Sequence, residues 1–169
     1  LITGSWDGRL YFFENTGAIS SPVWTYRPYM FLGIDVGNYC VPFLADLDGD
    51  EDLDLTIGEE NGRLTFYRNF GTREIPQFAT EEVDTTIYQN IDVGNRSAPA
   101  LMDIDSDDDL DLIIGISTGS LVLYENGGNK YQPAWGLRDF FFQELDFDLD
   151  WFPIPKVYDL NQDGKDLSL

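Results

Sequence analysis

The stretch DLDGDEDLD, residues 46–54, places aspartate at its first, third, fifth and ninth positions. Two carboxylates 4 Å apart repel each other by about 1 kcal/mol in bulk water and by about 4 kcal/mol at an effective dielectric constant near 20. Four carboxylates therefore cannot converge in a folded chain unless a cation lies between them. Oxygen donors at these positions, with a backbone carbonyl at position 7, suit Ca²⁺, which accepts about six to eight oxygen ligands in a flexible geometry.

The same spacing returns at residues 103–111 (DIDSDDDLD) and, altered, at residues 159–167 (DLNQDGKDL). The predicted ligands of the first site are Asp46, Asp48, Asp50, the carbonyl of Asp52, and Asp54. Those of the second site are Asp103, Asp105, Asp107, the carbonyl of Asp109, and Asp111. In the third stretch, positions 1, 3, 5 and 7 are held by Asp159, Asn161, Asp163 and Lys165.

The third stretch departs from the pattern at its end. Position 9 is Leu167, and the expected carboxylate comes one residue early, at Asp166. A hard cation needs a full set of oxygen ligands. We therefore predict two Ca²⁺ sites and leave open whether a third one forms.

An EF-hand begins with a similar spacing but requires glycine at position 6 and glutamate at position 12 of its loop. The first stretch has Glu51 and Ile57 at these positions, and the second has Asp108 and Ile114. The residues after each stretch also alternate as a strand does, whereas an EF-hand continues into a helix. These observations argue against an EF-hand.

The segments that follow the acidic stretches repeat as well, at a spacing of about 56 residues. Each copy carries two glycines, an asparagine, a third glycine, a proline and an aromatic residue in one register without gaps. In the second copy these residues are Gly58, Gly62, Asn69, Gly71, Pro76 and Phe78. Length changes are confined to the stretch between the aromatic residue and the next acidic stretch, which predicts variable loops there.

Each repeat has the pattern of four short strands. Leu53, Leu55 and Ile57 alternate with polar residues, and the turn at Asn61-Gly62 leads into a second alternating segment, which indicates a β-hairpin. The triplets NTG, NFG and NGG predict a second turn, because asparagine and glycine tolerate positive φ. The proline and aromatic residue behind it predict a third strand, and the apolar segments VPFLA, APALM and IPKVY predict a fourth.

An all-β chain of four-stranded antiparallel repeats predicts β-propeller blades. We divide the chain into a partial blade that lacks its first strand and calcium loop (1–30), two complete blades (31–87 and 88–144) and the start of a further blade (145–169). These make about three blades of a ring of six to eight. Because an open stack exposes sheet edges, we expect the remaining blades to come from the rest of a longer chain or from other copies.

The segments VPFLADLDGDEDLDLTIG and SAPALMDIDSDDDLDLIIG, with the turns ENTG and ENGG, resemble FG-GAP or VCBS-type repeats. These are the calcium-loop blades of integrin α-subunit propellers and of many secreted bacterial proteins, and the resemblance covers nearly the whole chain. It implies a calcium-loaded hairpin loop between the first two strands of each blade. It also implies an extracellular propeller that serves recognition and adhesion.

The composition narrows the possible partners. The net charge is −21 and there is no histidine, so nucleic acid and anionic membrane surfaces, which need a positive field, are unsuitable partners. No apolar run has the length of a membrane-spanning helix, and we predict no membrane insertion. Cys40 is the single cysteine, and we interpret it as a small buried residue. Calcium loops are commonly tuned to the millimolar calcium outside cells, which favours a secreted or cell-surface location.

We therefore predict a non-catalytic recognition, adhesion or scaffold module with a protein or glycan ligand at the cell surface. Two alternatives stay open: a lectin-like propeller that binds carbohydrate, and part of a polysaccharide lyase. Aromatic residues of the variable connections, WTYRPYMF (24–31) and DFFFQELDFDLDWF (139–152), serve either ligand binding or packing between blades. Trp24, Phe78 and Trp135 recur at one repeat position, which favours packing.

Overall fold

The computed structural model describes residues 1–28, 31, 33–78, 86–138 and 152–157. This part of the chain is all-β, with three antiparallel sheets and no helix, so it contains no helix that could span a membrane. The strands are β1 (Ile2–Gly4), β2 (Leu10–Asn15), β3 (Trp24–Tyr26), β4 (Val41–Ala45), β5 (Asp54–Gly58), β6 (Leu64–Tyr67), β7 (Ser97–Met102), β8 (Asp111–Ile116), β9 (Leu121–Asn126) and β10 (Trp135–Arg138).

Each sheet is built from neighbouring hairpins in chain order. The first sheet has the order β1-β2-β3, the second β4-β5-β6, and the third β10-β9-β8-β7. The turn between β5 and β6 contains Gly62 with φ of 78°, and Gly8 and Gly119 have the same conformation at the matching turns. The hairpin predicted at Asn61-Gly62 is therefore present, because a residue with positive φ matches the twist of the two strands.

The predicted strand behind the second turn differs among the repeats. It forms β3 in the first sheet and β10 in the third sheet, where it pairs with β9 from Trp135↔Asn126 to Arg138↔Leu123. In the second sheet it is reduced to an isolated bridge between Asn69 and Phe78. The second sheet therefore has three strands and one bridge within the described residues, and the third sheet has four strands.

The second turn forms for a different reason than the sequence suggested. Gly71 does not have positive φ, but a Cβ at this position would lie 2.2 Å from the carbonyl oxygen of Ile75. The side chain of Asn69 holds the turn, because its Oδ1 accepts hydrogen bonds from the N–H groups of Gly71 and Gln77, both at 2.9 Å. Equivalent bonds are made by Asn15 and Asn126.

Apolar side chains fill the spaces between neighbouring sheets. One cluster lies between the first and second sheets and includes Leu10, Phe31, Cys40, Leu55 and Ile57. A second cluster lies between the second and third sheets and includes Leu47, Phe66, Tyr88, Leu112 and Ile114. The second sheet is thus covered on both faces by apolar side chains. Cys40 lies in the first of these clusters, where burial raises the pKa of its thiol to about 12 and makes it unreactive.

The aromatic residue that recurs in each repeat packs against a neighbouring ring in two copies and is exposed in one. Phe78 stacks on Phe31 with a centroid distance of 5.4 Å, and Trp135 stacks on Tyr88 at 5.8 Å. The indole N–H of Trp135 also donates to the carbonyl of Ile87 at 2.9 Å. Trp24, in contrast, is 52% exposed. Phe78 and Trp135 therefore pack as expected, whereas Trp24 leaves about half of its surface exposed to solvent.

Neighbouring sheets approach each other closely at one glycine in each repeat. A Cβ at Gly58 would lie 2.1 Å from the carbonyl oxygen of Ser97, in the first strand of the next sheet. A Cβ at Gly4 would lie similarly close to the carbonyl oxygen of Cys40. A Cβ at Gly115 would lie similarly close to the carbonyl oxygen of Pro153. The segment 152–157 thus approaches the third sheet as the start of β4 and of β7 approach the sheets before them. It forms no strand, however, so the strand predicted at IPKVY is not found in its described part, 154–157. A side chain at any of the three glycines would hold neighbouring sheets apart.

Gly58→Ala should destabilise the protein by about 3 kcal/mol, because the new methyl group meets backbone atoms that cannot move aside. Gly136→Ala is the matched control, since the nearest atom to its Cβ is 3.8 Å away, and it should change stability by less than about 0.5 kcal/mol. Urea unfolding of the two variants measures the difference. Equal midpoints would contradict the close approach of the sheets.

Candidate metal centre

The two described acidic stretches form matching loops between paired strands. The first acidic loop (46–54) joins β4 to β5, and the second acidic loop (103–111) joins β7 to β8. In each case the residue before position 1 is paired with the residue at position 9, as Ala45↔Asp54 and Met102↔Asp111. Each loop therefore begins and ends at neighbouring points of a rigid ladder, which brings its carboxylates together.

The aspartate at position 1 organises each loop. The carboxylate of Asp46 accepts hydrogen bonds from the backbone N–H groups of Gly49, Asp50 and Glu51 at 2.7, 3.2 and 3.0 Å. In the second loop Asp103 accepts the same three bonds, from Ser106, Asp107 and Asp108 at 2.7, 3.2 and 3.1 Å. Two different sequences therefore fold into one loop geometry.

Positions 4 and 6 are left-handed in both loops. The φ values are 76° at Gly49 and 73° at Glu51 in the first loop, and 67° at Ser106 and 70° at Asp108 in the second. For residues other than glycine this conformation costs about 1–2 kcal/mol each. The N–H groups that Asp46 and Asp103 bind compensate for that strain.

Position 9 has a structural role that the sequence did not reveal. Asp54 is 1% exposed, and its two oxygens accept hydrogen bonds from the N–H groups of Leu47 and Asn69 at 3.1 and 2.8 Å. Asp111 accepts the matching bonds from Ile104 and Asn126 at 2.9 and 2.8 Å. These residues tie each loop to the end of the third strand, at Asn126 in β9 and at Asn69 two residues after β6. Each carboxylate oxygen has a second lone pair, so position 9 remains available to a cation.

Burial changes the acidity of position 9. It raises the pKa of Asp54 to about 6, although the hydrogen bond from the Asn69 N–H acts in the opposite direction. Burial likewise raises the pKa of Asp111, again opposed by the N–H of Asn126. A bound cation would favour the charged form of both groups.

The loops bring three carboxylates together in each case. Oxygens of Asp46, Asp48 and Asp50 lie within 4.8 Å of one another, as do oxygens of Asp103, Asp105 and Asp111. The predicted ligands Asp54 and Asp107 lie in the same loops but outside these closest groups. The donors are all hard oxygens, so the chemistry of the two clusters suits a divalent cation, and the clusters could hold one.

Position 7 differs between the loops. The Asp52 side chain is partly exposed, whereas Asp109 is only 6% exposed and its Oδ1 has no hydrogen-bond partner within the described residues. Burial, followed by the charge of Asp107, raises the pKa of Asp109 to about 6. This difference was invisible in the sequence, which has aspartate at both positions.

The charged residues next to the two acidic loops also differ. Arg68 forms an ion pair with Asp48, with its Nη1 3.0 Å from Oδ2. The residue in the same place of the next repeat is Glu125, whose charge raises the pKa of Asp105 after the larger effects of burial and of the Asp107 charge. Glu125 is itself paired with Arg138. Within the described part of the chain, the first loop therefore has an arginine paired with its acidic cluster, and the second loop has no such ion pair.

The turn of the third sheet contacts the first acidic loop. A Cβ at Gly49 would lie 2.7 Å from Cε1 of Tyr131 and 3.4 Å from Cδ of Lys130. Asp46 and Gly49 of the first loop and Asp108 and Asp109 of the second line one cleft of about 450 Å³. The loops of neighbouring sheets thus share one surface.

The third acidic stretch lies outside the described residues, so Asp159, Asn161, Asp163 and Lys165 stay predictions. Most of the aromatic segment 139–152 lies outside them as well. Comparisons of the chain with protein-family models, with curated proteins and with solved structures find no match.

Asp50→Asn should weaken cation binding at the first loop by roughly tenfold, because affinity in such loops follows the number of charged ligands. Asparagine keeps the size of the side chain and the oxygen that accepts the N–H of Asp52. Glu51→Gln removes the same charge from an exposed side chain outside the cluster, and should change the affinity by less than about twofold, as long-range screening implies. Calorimetric titration with CaCl₂ compares the variants, and equal losses would rule out direct coordination by Asp50.

Proposed function

We propose that the chain is a calcium-stabilised array of FG-GAP or VCBS-type propeller blades, which acts as a non-catalytic recognition, adhesion or scaffold module outside the cell. The observation that supports this most strongly is the matched pair of acidic loops. Both loops lie between the first two strands of a sheet, and both are held by equivalent hydrogen bonds from positions 1 and 9. A solvated acidic turn would need no such agreement.

Calcium is the cation that suits these loops best. Their ligands are carboxylates and backbone carbonyls on a flexible nine-residue loop, whereas Mg²⁺ requires near-ideal octahedral geometry and retains several waters. Exposed loops of this kind, open to solvent at Asp50 and Glu51, suit the millimolar calcium found outside cells. Bound calcium would offset the repulsion within each cluster and hold the hairpin in place.

The stacking of the sheets supports the propeller part of the proposal. Each sheet covers the next with an apolar cluster, and the close approach at Gly4, Gly58 and Gly115 recurs between successive repeats. Radial repetition of such sheets produces a propeller. In this proposal the remaining blades of the ring come from the rest of a longer chain or from other copies, because an open stack of sheets exposes sheet edges.

Removal of calcium tests the proposal directly. Calcium at 100 times its dissociation constant adds about 2.7 kcal/mol per site, which corresponds to a rise in melting temperature of about 5 °C or more for a chain of this size. A chelator should reverse the rise, and Mg²⁺ at the same concentration should give a smaller one. A melting temperature that is insensitive to both calcium and chelator would refute the proposal.

A carbohydrate ligand is the second candidate, and one cleft favours it. The cleft has a volume of about 740 Å³ and lies between the first and second sheets. Its lining includes the aromatic residues Phe12, Tyr26, Phe31 and Phe78, with charged groups such as Glu14 and Arg73. Sugars combine apolar ring faces with hydroxyl groups, and such a mixture of aromatic and charged side chains can bind both.

Binding of the chain to a glycan array tests this second candidate. Tyr26→Ala should abolish any signal if the cleft binds sugar, because Tyr26 is 46% exposed and lines the cleft. Phe70→Ala is the control, since Phe70 is 52% exposed and lies outside that lining. Equal binding by both variants and the unaltered chain would place the ligand elsewhere. Release of unsaturated sugars that absorb ultraviolet light would instead indicate the lyase alternative.

A further inference from the structure

We propose that the side chain of Asp109 is an additional cation ligand of the second acidic loop, and that this loop is therefore the tighter of the two sites. The inference rests on the proposed calcium binding. It differs from the sequence-based prediction, in which position 7 contributes only its backbone carbonyl. The first loop, with Asp52 at the same position, lacks this ligand.

Asp109 is the exception among the buried carboxylates of the described residues. Both oxygens of Asp54 and both oxygens of Asp111 accept backbone N–H groups. The two carboxylate oxygens of Glu59 accept hydrogen bonds from the backbone N–H groups of Asn61 and Arg63. Asp109 is equally buried, yet its Oδ1 has no partner. A buried carboxylate oxygen that lacks a partner is costly, because the protein does not replace its hydration.

The surroundings of Asp109 point to a cation as the missing partner. After the larger effect of burial, its pKa is raised by the charges of Asp107 and Asp111 and by a side-chain hydrogen bond with Asp107, and both residues belong to the same loop. Lys130 lines the same cleft but forms no ion pair within the described residues, and its ammonium lies 4.9 Å from the ring of Tyr131. A cation on the cluster would satisfy Asp109 and reduce the repulsion among its neighbours.

The first loop differs in two ways that both weaken a cation site. Asp52 is partly exposed and can be hydrated instead of coordinating. Arg68 is paired with Asp48 at 3.0 Å and would compete with a cation for that carboxylate. The second loop has Glu125 in the place of Arg68 and one more buried carboxylate. Because the charge of the ligand set tunes the affinity of calcium loops, the second loop should bind first.

Calorimetric titration of the full chain with CaCl₂ tests the order of binding. The unaltered chain should show two steps that differ by at least tenfold in affinity. Asp50→Asn, in the first loop, should lower the affinity of the weaker step or abolish that step. Asp107→Asn, in the second loop, should have the same effect on the tighter step. Two equal steps, or the opposite assignment, would overturn the inference.

The role of Asp109 is tested by a matched pair of variants. Asp109→Asn should lower the affinity of the tighter step at least tenfold, and Asp52→Asn should lower that of the weaker step less than threefold. Equal effects of the two variants would overturn the inference, even if calcium binding itself is established. A chain that takes up no calcium at all would overturn the proposed function and the inference together.

The metal-free protein distinguishes a ligand from a residue that only supports the fold. Without calcium, Asp109→Asn should keep or raise the melting temperature, because it removes the charge of a buried carboxylate whose Oδ1 has no partner within the described residues. With saturating calcium it should lower the melting temperature relative to the unaltered chain. A similar decrease under both conditions would show that Asp109 is structural and would contradict its assignment as a ligand.

Discussion

The close contact between the backbones of neighbouring sheets is the constraint on which the rest of the structure depends. At Gly58 the second sheet meets the first strand of the third sheet with no room for a side chain. This contact and the matching one at Gly4, between the first and second sheets, fix the distances between the sheets, so that Leu55 and Leu112 can fill the two apolar layers. They also fix the height at which each acidic loop leaves its sheet, since the loop begins at the end of that same first strand.

The acidic loops are folded by backbone groups as well as by any cation. Asp46 and Asp103 each bind three N–H groups, and Asp54 and Asp111 each bind two. Hydrogen bonds of this kind favour the charged carboxylate. The loop conformation is thus held by the protein's own groups, and a cation in either cluster would need to order little further backbone. The cost of this arrangement is a concentration of like charges, which a cation would offset.

The sequence predicted the features that depend on local pattern and repetition. Alternation around Leu55 and the turn at Gly62 predicted the hairpins. The spacing of the aspartates predicted that carboxylates would cluster in each acidic loop, and three of them do so in each of the two described loops. Features that depend on a neighbouring sheet were missed. The burial of Asp109 but not of Asp52, and the cover of Trp135 but not of Trp24, follow from what packs beside each repeat. Identical residues at one repeat position give no sign of this.

The contact of Tyr131 with Gly49 brings two repeats together at the first acidic loop. The ring belongs to a turn of the third sheet, and the glycine belongs to the loop of the second sheet. Any residue other than glycine at position 49 would place its Cβ against the tyrosine ring of the next repeat. Which residues the loop tolerates at that position therefore depends on two adjacent repeats and not on nine residues alone.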